Sequence, residues 1–391
     1  MKKKISILGS TGSIGKNLLK IINKNKDYFK ITLLSANKNY KLLLNQAKLY
    51  NVKNLVISNT DSYYKLKKFE KKFSIKVYNN FDNLKKIFKF KNDYTMSAIS
   101  GLDGLKPTLN SINYTKNILI ANKESIICGW NLIEKKLNKY KTNFIPIDSE
   151  HFSIWTLIDS NNKKYINKIY LTASGGPFYN YPKNKFFKIT PKNALKHPNW
   201  KMGKKISIDS ATLMNKVFEV IEARNIFNIP LNKINILVHP QSYLHAIVKF
   251  KTGISKFLIH ETSMMIPIYH ALYGSMKNSI KIKDLDFDKL NNLNLSAVDK
   301  SKFPSVCVLD IIPEKTSLFE TILVSANDEL VGLFLDNKIK FNDIVKILLK
   351  IIKMKQFVKF KKIKPNKIME ILSVSNNTRK LTRSLVTNLH D

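Results

Sequence analysis

Asp148 and Glu150, in the run Asp148-Ser149-Glu150-His151, are the residues whose types and spacing first suggest chemistry. They follow the apolar stretch Phe144-Ile145-Pro146-Ile147, which reads as a strand leaving a core. Residues two apart on an extended chain face the same way, so two carboxylates are expected side by side at a strand end. Close carboxylates repel unless a cation lies between them or one takes up a proton. An all-oxygen ligand set suits magnesium or manganese. Taken alone, the pair reads as a solvated acidic turn. Acids are scarce here, however, with 28 Asp plus Glu against 67 Lys plus Arg, which weakens that reading.

A second constellation is Asp209-Ser210-Ala211-Thr212, followed by Leu213-Met214-Asn215-Lys216 and Glu219. Asp209 or Ser210 suits a helix N-cap. Asn215 and Glu219 are four apart and share a helix face, with Lys216 beside them and Glu222 a turn beyond. A helix start carrying Ser, Asn and Lys suits a phosphate group. Glu219 would add a third carboxylate to Asp148 and Glu150, and three carboxylates plus substrate oxygens suit octahedral magnesium. An ordinary amphipathic helix accounts equally for this stretch in isolation. Lys123 and Glu124, in Asn122-Lys123-Glu124, follow a strand at 118–120, where a doubly wound sheet lines its ligand crevice. His197-Pro198-Asn199-Trp200-Lys201-Met202-Gly203-Lys204 closes a long irregular stretch from 178. Trp200 and Met202 fit a lid that folds over a ligand, or a loop packed permanently on the core. Cys128 reads as a core residue. There is no G-x-S-x-G elbow, and His260-Glu261 lacks the second histidine of H-E-x-x-H.

The elements that must position these residues begin with a strand at 5–8. Gly9-Ser10-Thr11-Gly12-Ser13-Ile14-Gly15 follows as a glycine turn, and Ile14, Leu18, Leu19, Ile21 and Ile22 then recur at helical spacing. Such a turn lets the backbone approach a pyrophosphate at a helix N-terminus. A tight structural turn is the plainer alternative. The second strand, at 31–34, runs into Ser35-Ala36-Asn37-Lys38-Asn39 with no acid to hold a ribose 2′-hydroxyl. Lys38 favours a 2′-phosphate there, so NADPH is preferred over NADH. Short apolar runs at 56–57, 95–99 and 118–120 alternate with helical stretches, predicting a parallel α/β sheet to about 147. Strands at 169–173, 236–238, 246–248 and 257–259 follow. Residues 274–305 read as a linker. From about 306 the pattern is helical, with Asn342-Asp343 suited to cap a helix bearing Ile344, Val345, Leu348, Leu349 and Ile352.

Bulk properties bound the answer. Apolar residues make up 44% of 391, enough for two or three domains with real cores. The net charge of +39 invites a nucleic-acid reading, but only Arg224, Arg379 and Arg383 are arginines. Nucleic-acid surfaces favour arginine, and these lysines spread along the whole chain, so no nucleic-acid partner is expected. Cys128 and Cys307 suggest neither a disulfide framework nor a zinc site. No apolar run approaches the roughly 20 residues of a membrane span. The first strand begins at once after Met1-Lys2-Lys3-Lys4, which leaves no room for a signal peptide. A cytoplasmic protein with no membrane partner is expected.

Taken together, Gly9–Gly15, Ala121-Asn122-Lys123-Glu124-Ser125, Pro146–His151, Ser174-Gly175-Gly176-Pro177-Phe178, His197–Gly203, Asp209–Lys216, His239-Pro240-Gln241-Ser242 and Ser325-Ala326-Asn327-Asp328-Glu329 stand in one order. This set resembles the 1-deoxy-D-xylulose 5-phosphate reductoisomerase family over nearly the whole chain. The resemblance implies a Rossmann-like NADPH-binding domain at 1–147. It implies an α+β catalytic, metal-binding and dimerisation domain with a flexible lid at 148–273. A linker at 274–305 and a C-terminal α-helical bundle at 306–391 complete it. It implies a homodimer acting on a sugar phosphate: 1-deoxy-D-xylulose 5-phosphate is rearranged and reduced to 2-C-methyl-D-erythritol 4-phosphate in non-mevalonate isoprenoid synthesis. Carbon–carbon cleavage and re-formation, or a direct α-ketol shift, would fit alike. Carried onto matching positions, Asp148, Glu150 and Glu219 hold Mg2+ or Mn2+. Ser174, His197, Ser210, Asn215 and Lys216 hold the phosphate region. Lys123, Ser149, Glu150 and Glu219 meet the reacting end, with Lys123, Glu150 and Glu219 as catalytic candidates. Thr11, Gly12, Ser13, Ile14, Asn37, Lys38, Asn39, Asn122, Glu124 and Gly203 meet NADPH. Two departures stand out. Asn37 replaces a usual glycine, and Thr262-Ser263-Met264-Met265 replaces a Pro-Asp-Met-Arg run, which bears on dimer packing. A metal-free NADP dehydrogenase and a basic nucleic-acid-binding protein with a degenerate Rossmann domain are the competing readings.

Overall fold

The computed structural model describes residues 2–158, 163–200, 202–274 and 283–387. Lys201 of the loop motif, residues 275–282 of the expected linker and the last four residues of the expected bundle lie outside them. The chain divides into two compact units.

The first unit comprises Met1–Ser125, Leu132–Phe152 and Met264–Lys281. Seven strands build its sheet: β1 (Lys3–Leu8), β2 (Phe29–Ala36), β3 (Asn54–Ile57), β4 (Lys76–Tyr78), β5 (Asn92–Ser97), β6 (Thr115–Ile120) and β7 (Asn143–Pro146). They lie in the order β4-β3-β2-β1-β5-β6-β7, and every pair is parallel. The apolar runs are strands because a parallel sheet is covered on both faces. One face buries Ile5, Ile7, Leu34 and Leu55 with Leu18 and Ile22 of helix Ser13–Lys24. The other buries Leu8, Leu33 and Val56 with Phe81 and Leu84. The order reverses between β1 and β5, and ligands bind outside the carboxyl ends of strands at such a switch point. Gly9, Asn37, Asn122 and Asp148 all lie just past those ends.

Helix Met265–Tyr273 belongs to this unit by its packing, although the expected catalytic segment ran to 273. Ile268, Tyr269, Leu272 and Tyr273 enter the sheet's core, and Met264 and Met265 pack partly buried against it. Tyr94 Oη donates to the Leu272 carbonyl at 3.1 Å, and Asn25 Nδ2 to Tyr273 Oη at 2.9 Å. The two methionines of the divergent run thus contribute apolar packing.

The second unit comprises Ile126–Asn131, Ser153–Ser263 and Ile282–Asp391. Its sheet runs β11-β10-β8-β9-β12, from β8 (Ile166–Ala173), β9 (Ile234–Val238), β10 (Leu244–Phe250), β11 (Ser255–Ile259) and β12 (Ser296–Ala297). Only β8 and β9 pair in parallel. β12 lies inside the expected linker; two backbone pairings with β9 make that part of it an edge of this sheet. Helix Met214–Phe227 lays Val220, Ala223 and Phe227 on Ile169, Leu171 and Ile234. Helices Phe319–Leu335, Phe341–Ile352 and Ile368–Thr387 complete the unit. Asn342 and Asp343 fall inside the first turn of Phe341–Ile352, where Asp343 accepts from the Lys340 amide at 2.9 Å, so they do not cap it from outside.

The irregular stretch from 178 is only partly loop. Thr190 caps helix Pro191–Ala194, and Phe178 and Phe186 are buried. Phe178 and Phe186 meet Phe341 at ring-centre distances of 5.3 and 5.9 Å, edge to face. Residues 178–194 are therefore fastened by aromatic packing that no local sequence pattern announces.

Candidate active site

The glycine turn is built for close backbone approach. Gly9 has φ +85°, and a Cβ on it would fall 2.5 Å from the Ala98 carbonyl oxygen. A Cβ on Gly15 would fall 2.5 Å from Gly9 O and Ser10 Cα. Ser10 locks the turn down: its Oγ donates to Gln46 Oε1 at 2.7 Å, and Gln46 Nε2 donates back to Ser10 O at 3.0 Å. Gly12 caps helix Ser13–Lys24 with no side-chain bond, the kind of helix start that suits an anion. Thr11 stands half-buried beside them. Asn37, Lys38 and Asn39 are exposed after β2. Asn37 is not among the positive-φ residues, so its backbone does not need the glycine it replaces. Asn39 Oδ1 accepts from the Leu42 amide at 3.1 Å and so caps the next helix. Asn122 is likewise a cap for Lys123–Tyr140: Oδ1 accepts from Ser125 N at 2.5 Å, while Nδ2 donates to Ile99 O and, at 2.7 Å, to Gly101 O. Glu124 follows it, buried.

Asp148 and Glu150 are not neighbours on an extended strand. β7 ends at Pro146 and helix Ser149–Leu157 begins at once. The Asp148 carbonyl accepts from Phe152 N at 2.8 Å, so Asp148 occupies the cap position and Glu150 the first turn. Strand-to-helix transition, rather than pleat, brings them to one end of the element. Asp148 pairs with the Lys123 ammonium through Oδ2, and His151 Nδ1 lies 3.3 Å from its Oδ1. His151 is fully buried; it stood inside the acidic motif, and its orienting contact to Asp148 required the helical turn to be seen. Ser149 Oγ donates to Glu150 Oε2 at 2.5 Å.

In the second unit, Ser174, His197 and Ser210 converge. His197 Nε2 is 3.1 Å from Ser174 Oγ and 3.0 Å from Ser210 Oγ. His197 Nδ1 accepts from the Asn199 and Trp200 amides at 3.1 and 3.0 Å. Nδ1 therefore carries no proton, and the neutral ring holds its hydrogen on Nε2, facing the serines. Burial pushes the imidazolium pKa down to about 4. Gly175 and Gly176, both at positive φ, turn the chain after β8, and a Cβ on Gly176 would fall 2.7 Å from Ser210 O. That approach explains Gly176, and a Cβ on Gly175 would fall 2.8 Å from Tyr179 Cβ. Gly203 caps helix Lys204–Ala211.

Asp209 and Ser210 do not cap the next helix. Both lie within Lys204–Ala211, and Leu213, left-handed at φ 59°, breaks the chain before Met214–Phe227. Left-handed leucine is strained, and such strain concentrates at functional turns. It lets Asn215 and Lys216 open the new helix with Glu219 one turn on. Asn215 Nδ2 donates to Glu219 Oε1 at 2.5 Å, and Lys216 pairs with Oε2. Glu219 is 1% exposed.

Asp148, Glu150 and Glu219 each offer one carboxylate oxygen, and these oxygens lie within 4.8 Å of one another. No other group of three or more His, Cys, Asp or Glu among the described residues does so. Hard oxygen donors alone make the set fit magnesium or manganese. Lys123 and Lys216, each against one of these carboxylates, show how much positive charge the cluster draws.

Three family models match in sequence: 1-deoxy-D-xylulose 5-phosphate reductoisomerase over 5–129, the C-terminal domain of that enzyme over 144–227, and the DXP reductoisomerase C-terminal domain over 259–381. The 1-deoxy-D-xylulose 5-phosphate reductoisomerase of Pelagibacter ubique is 58% identical over 376 residues, covering 96% of this chain and 97% of that one. Its namesake from Wolbachia pipientis wMel is 39% identical, covering 98% of each. Among solved structures, the Zymomonas mobilis reductoisomerase in complex with NADPH matches with TM-score 0.87 and 34% identity over 99% of each chain. A DOX-P reductoisomerase in complex with NADPH, fosmidomycin and magnesium matches with TM-score 0.92 and 29% identity over 100% of this chain and 99% of that one. The chain belongs to the 1-deoxy-D-xylulose 5-phosphate reductoisomerase family.

Proposed function

We propose that this protein converts 1-deoxy-D-xylulose 5-phosphate to 2-C-methyl-D-erythritol 4-phosphate, using NADPH and a divalent magnesium or manganese ion, on the route to isoprenoid precursors. Beyond family membership, the observation that carries the reading is the trio Asp148, Glu150 and Glu219 with oxygens inside one small sphere. These carboxylates hold the ion, and the bound ion supplies Lewis acidity to the substrate's carbonyl and neighbouring hydroxyl. Lys123 and His151 keep Asp148 oriented, while Asn215 and Lys216 keep Glu219 oriented. Lys123, Ser149 and Glu150 meet the reacting end. Lys123 and Glu150 are the groups available to move its protons, by retro-aldol and aldol steps or by an α-ketol shift.

Ser174, Ser210, Asn215 and Lys216 hold the phosphate, with His197 donating through Nε2. Binding there orders the reacting end from a distance, and Trp200 closes over it to exclude water. The turn at Thr11–Ile14 holds the pyrophosphate of NADPH, Lys38 its 2′-phosphate, and Asn37, Asn39, Asn122, Glu124 and Gly203 complete its surroundings. The protein works as a homodimer. In support, β11 has a strand neighbour on one side only among the described residues, and Phe257 on it is 48% exposed. It works in the cytoplasm; two cysteines outside any disulfide, Cys128 and Cys307, suit a reducing compartment, and no described helix is long and apolar enough to cross a membrane.

Incubation with the sugar phosphate and NADPH, followed by product identification, tests the reading. Steady NADPH oxidation yielding the branched polyol phosphate is expected. Oxidation to an unbranched product, or none with metal supplied, would overturn it.

A further inference from the structure

Helix Lys204–Ala211 starts at its Gly203 cap, and its last turn carries Ser210 against His197. It is only eight residues long and has no side-chain N-cap. Its fixity must come from elsewhere. Asp209, next to Ser210, is 1% exposed. A carboxylate so buried is tolerated only when paired and hydrogen-bonded.

Its partners lie one turn back and on the C-terminal helices. Lys205 Nζ is 2.8 Å from Asp209 Oδ2, and Asn327 Nδ2, from the middle of Phe319–Leu335, donates to Oδ1 at 2.8 Å. The same Lys205 Nζ is 3.1 Å from Asp328 Oδ1, and Asp328 Oδ2 accepts from Arg379 of Ile368–Thr387 at 2.9 Å. Lys205 Nζ also stands 4.8 Å from the ring centre of Phe218, the residue before Glu219. Burial pushes the Asp209 carboxyl up, and Lys205 and Asn327 oppose that push. Three helices thus meet at one polar knot, and Ser325 with Ser375 and Glu329 with Arg379 and Arg383 add polar contacts between the two C-terminal ones.

We propose that Lys205, Asp209, Asn327 and Asp328 form a positioning node through which the C-terminal helices hold Ser210, and with it His197, at the substrate's phosphate. The node rests on the phosphate-binding role given above to Ser210 and His197. None of its four residues need touch substrate; they act through the placement of one short helix.

Asp209→Asn tests it, because the variant keeps size and an oxygen for Asn327 but deletes the charge facing Lys205. On the full chain loaded with NADPH, KM for the sugar phosphate and the dissociation constant for inorganic phosphate should both rise about tenfold, with kcat changed less than about threefold. NADPH affinity should stay at the wild-type value. Asn327→Ala, on a separate helix, should move the same two constants in the same direction, and it carries the test alone if Asp209→Asn does not fold. A lowered Tm with both phosphate constants unchanged would make the node merely structural and overturn the proposal. Wild-type constants in both variants would overturn it too. Phosphate affinity is read without turnover. A wild-type chain that binds phosphate yet leaves the sugar phosphate unchanged would sink the proposed reaction alone, and one that binds no phosphate would sink both.

Discussion

At the scale of single residues, His197 has the most sharply defined state. Two backbone amides point at its Nδ1, so protonation there would set three donors against one another. Its pKa is depressed to about 4 from 6.5, which fixes the sign of its pH linkage. Between those values the unfolded chain binds more protons than the folded one. Its contribution to stability is therefore fully present above 6.5 and is lost as pH falls toward 4. Nitrogen-15 NMR of labelled histidine should show a neutral ring with hydrogen on Nε2 at pH 6; titration near 6.5 would contradict the contact pattern. Glu219 is the other decisive residue. Glu219→Gln keeps the Asn215 contact but removes charge, and should lower turnover on the order of 100-fold or more with NADPH affinity unchanged. A fully active variant would remove Glu219 from the ion site.

At the scale of elements, helix Met214–Phe227 is anchored at its far end by a buried ion pair. Arg224 Nη2 is 2.6 Å from Glu320 Oε1, and Arg224 also donates to Asn225 Oδ1 and the Pro313 carbonyl. Ser317 Oγ donates to Glu320 Oε2 at 2.7 Å. Glu320→Ala leaves a buried guanidinium uncompensated and should cost about 3–5 kcal/mol, measured as a lower urea midpoint with unchanged slope. An unchanged midpoint would show the pair to be dispensable. Elements also mark what could be read in the chain beforehand. β1, β2, β6, β8 and β10 are legible because short, mostly apolar runs rich in isoleucine, leucine and valine suit buried strands, and the glycine turn because only glycine tolerates Gly9's φ and Gly15's crowding. The geometry of Asp148 and Glu150 was not legible, since strand and helix abut there and a cap position has no two-residue period. Asp209 looks like a cap in sequence; a left-handed leucine four residues on moves the helix start past it. The fastening of 178–194 depends on Phe341, far along the chain, and contacts of that kind leave no local trace.

At the scale of the whole molecule, 67 basic against 28 acidic residues give a net charge of +39. Such a charge opposes self-association by repulsion, so a stable dimer must be held by apolar and backbone contacts. Light scattering coupled to size exclusion should give twice the chain mass at moderate salt; a monomer mass across micromolar concentrations would remove the homodimer. The same excess of positive charge makes the acidic trio exceptional. Titration of the NADPH-loaded protein with Mn2+, followed by electron paramagnetic resonance, tests it without relying on turnover. One tightly bound ion per chain is predicted, with affinity lowered about tenfold or more in both Asp148→Asn and Glu219→Gln. Manganese bound equally well by the wild type and both variants would contradict the claim that these carboxylates hold the ion.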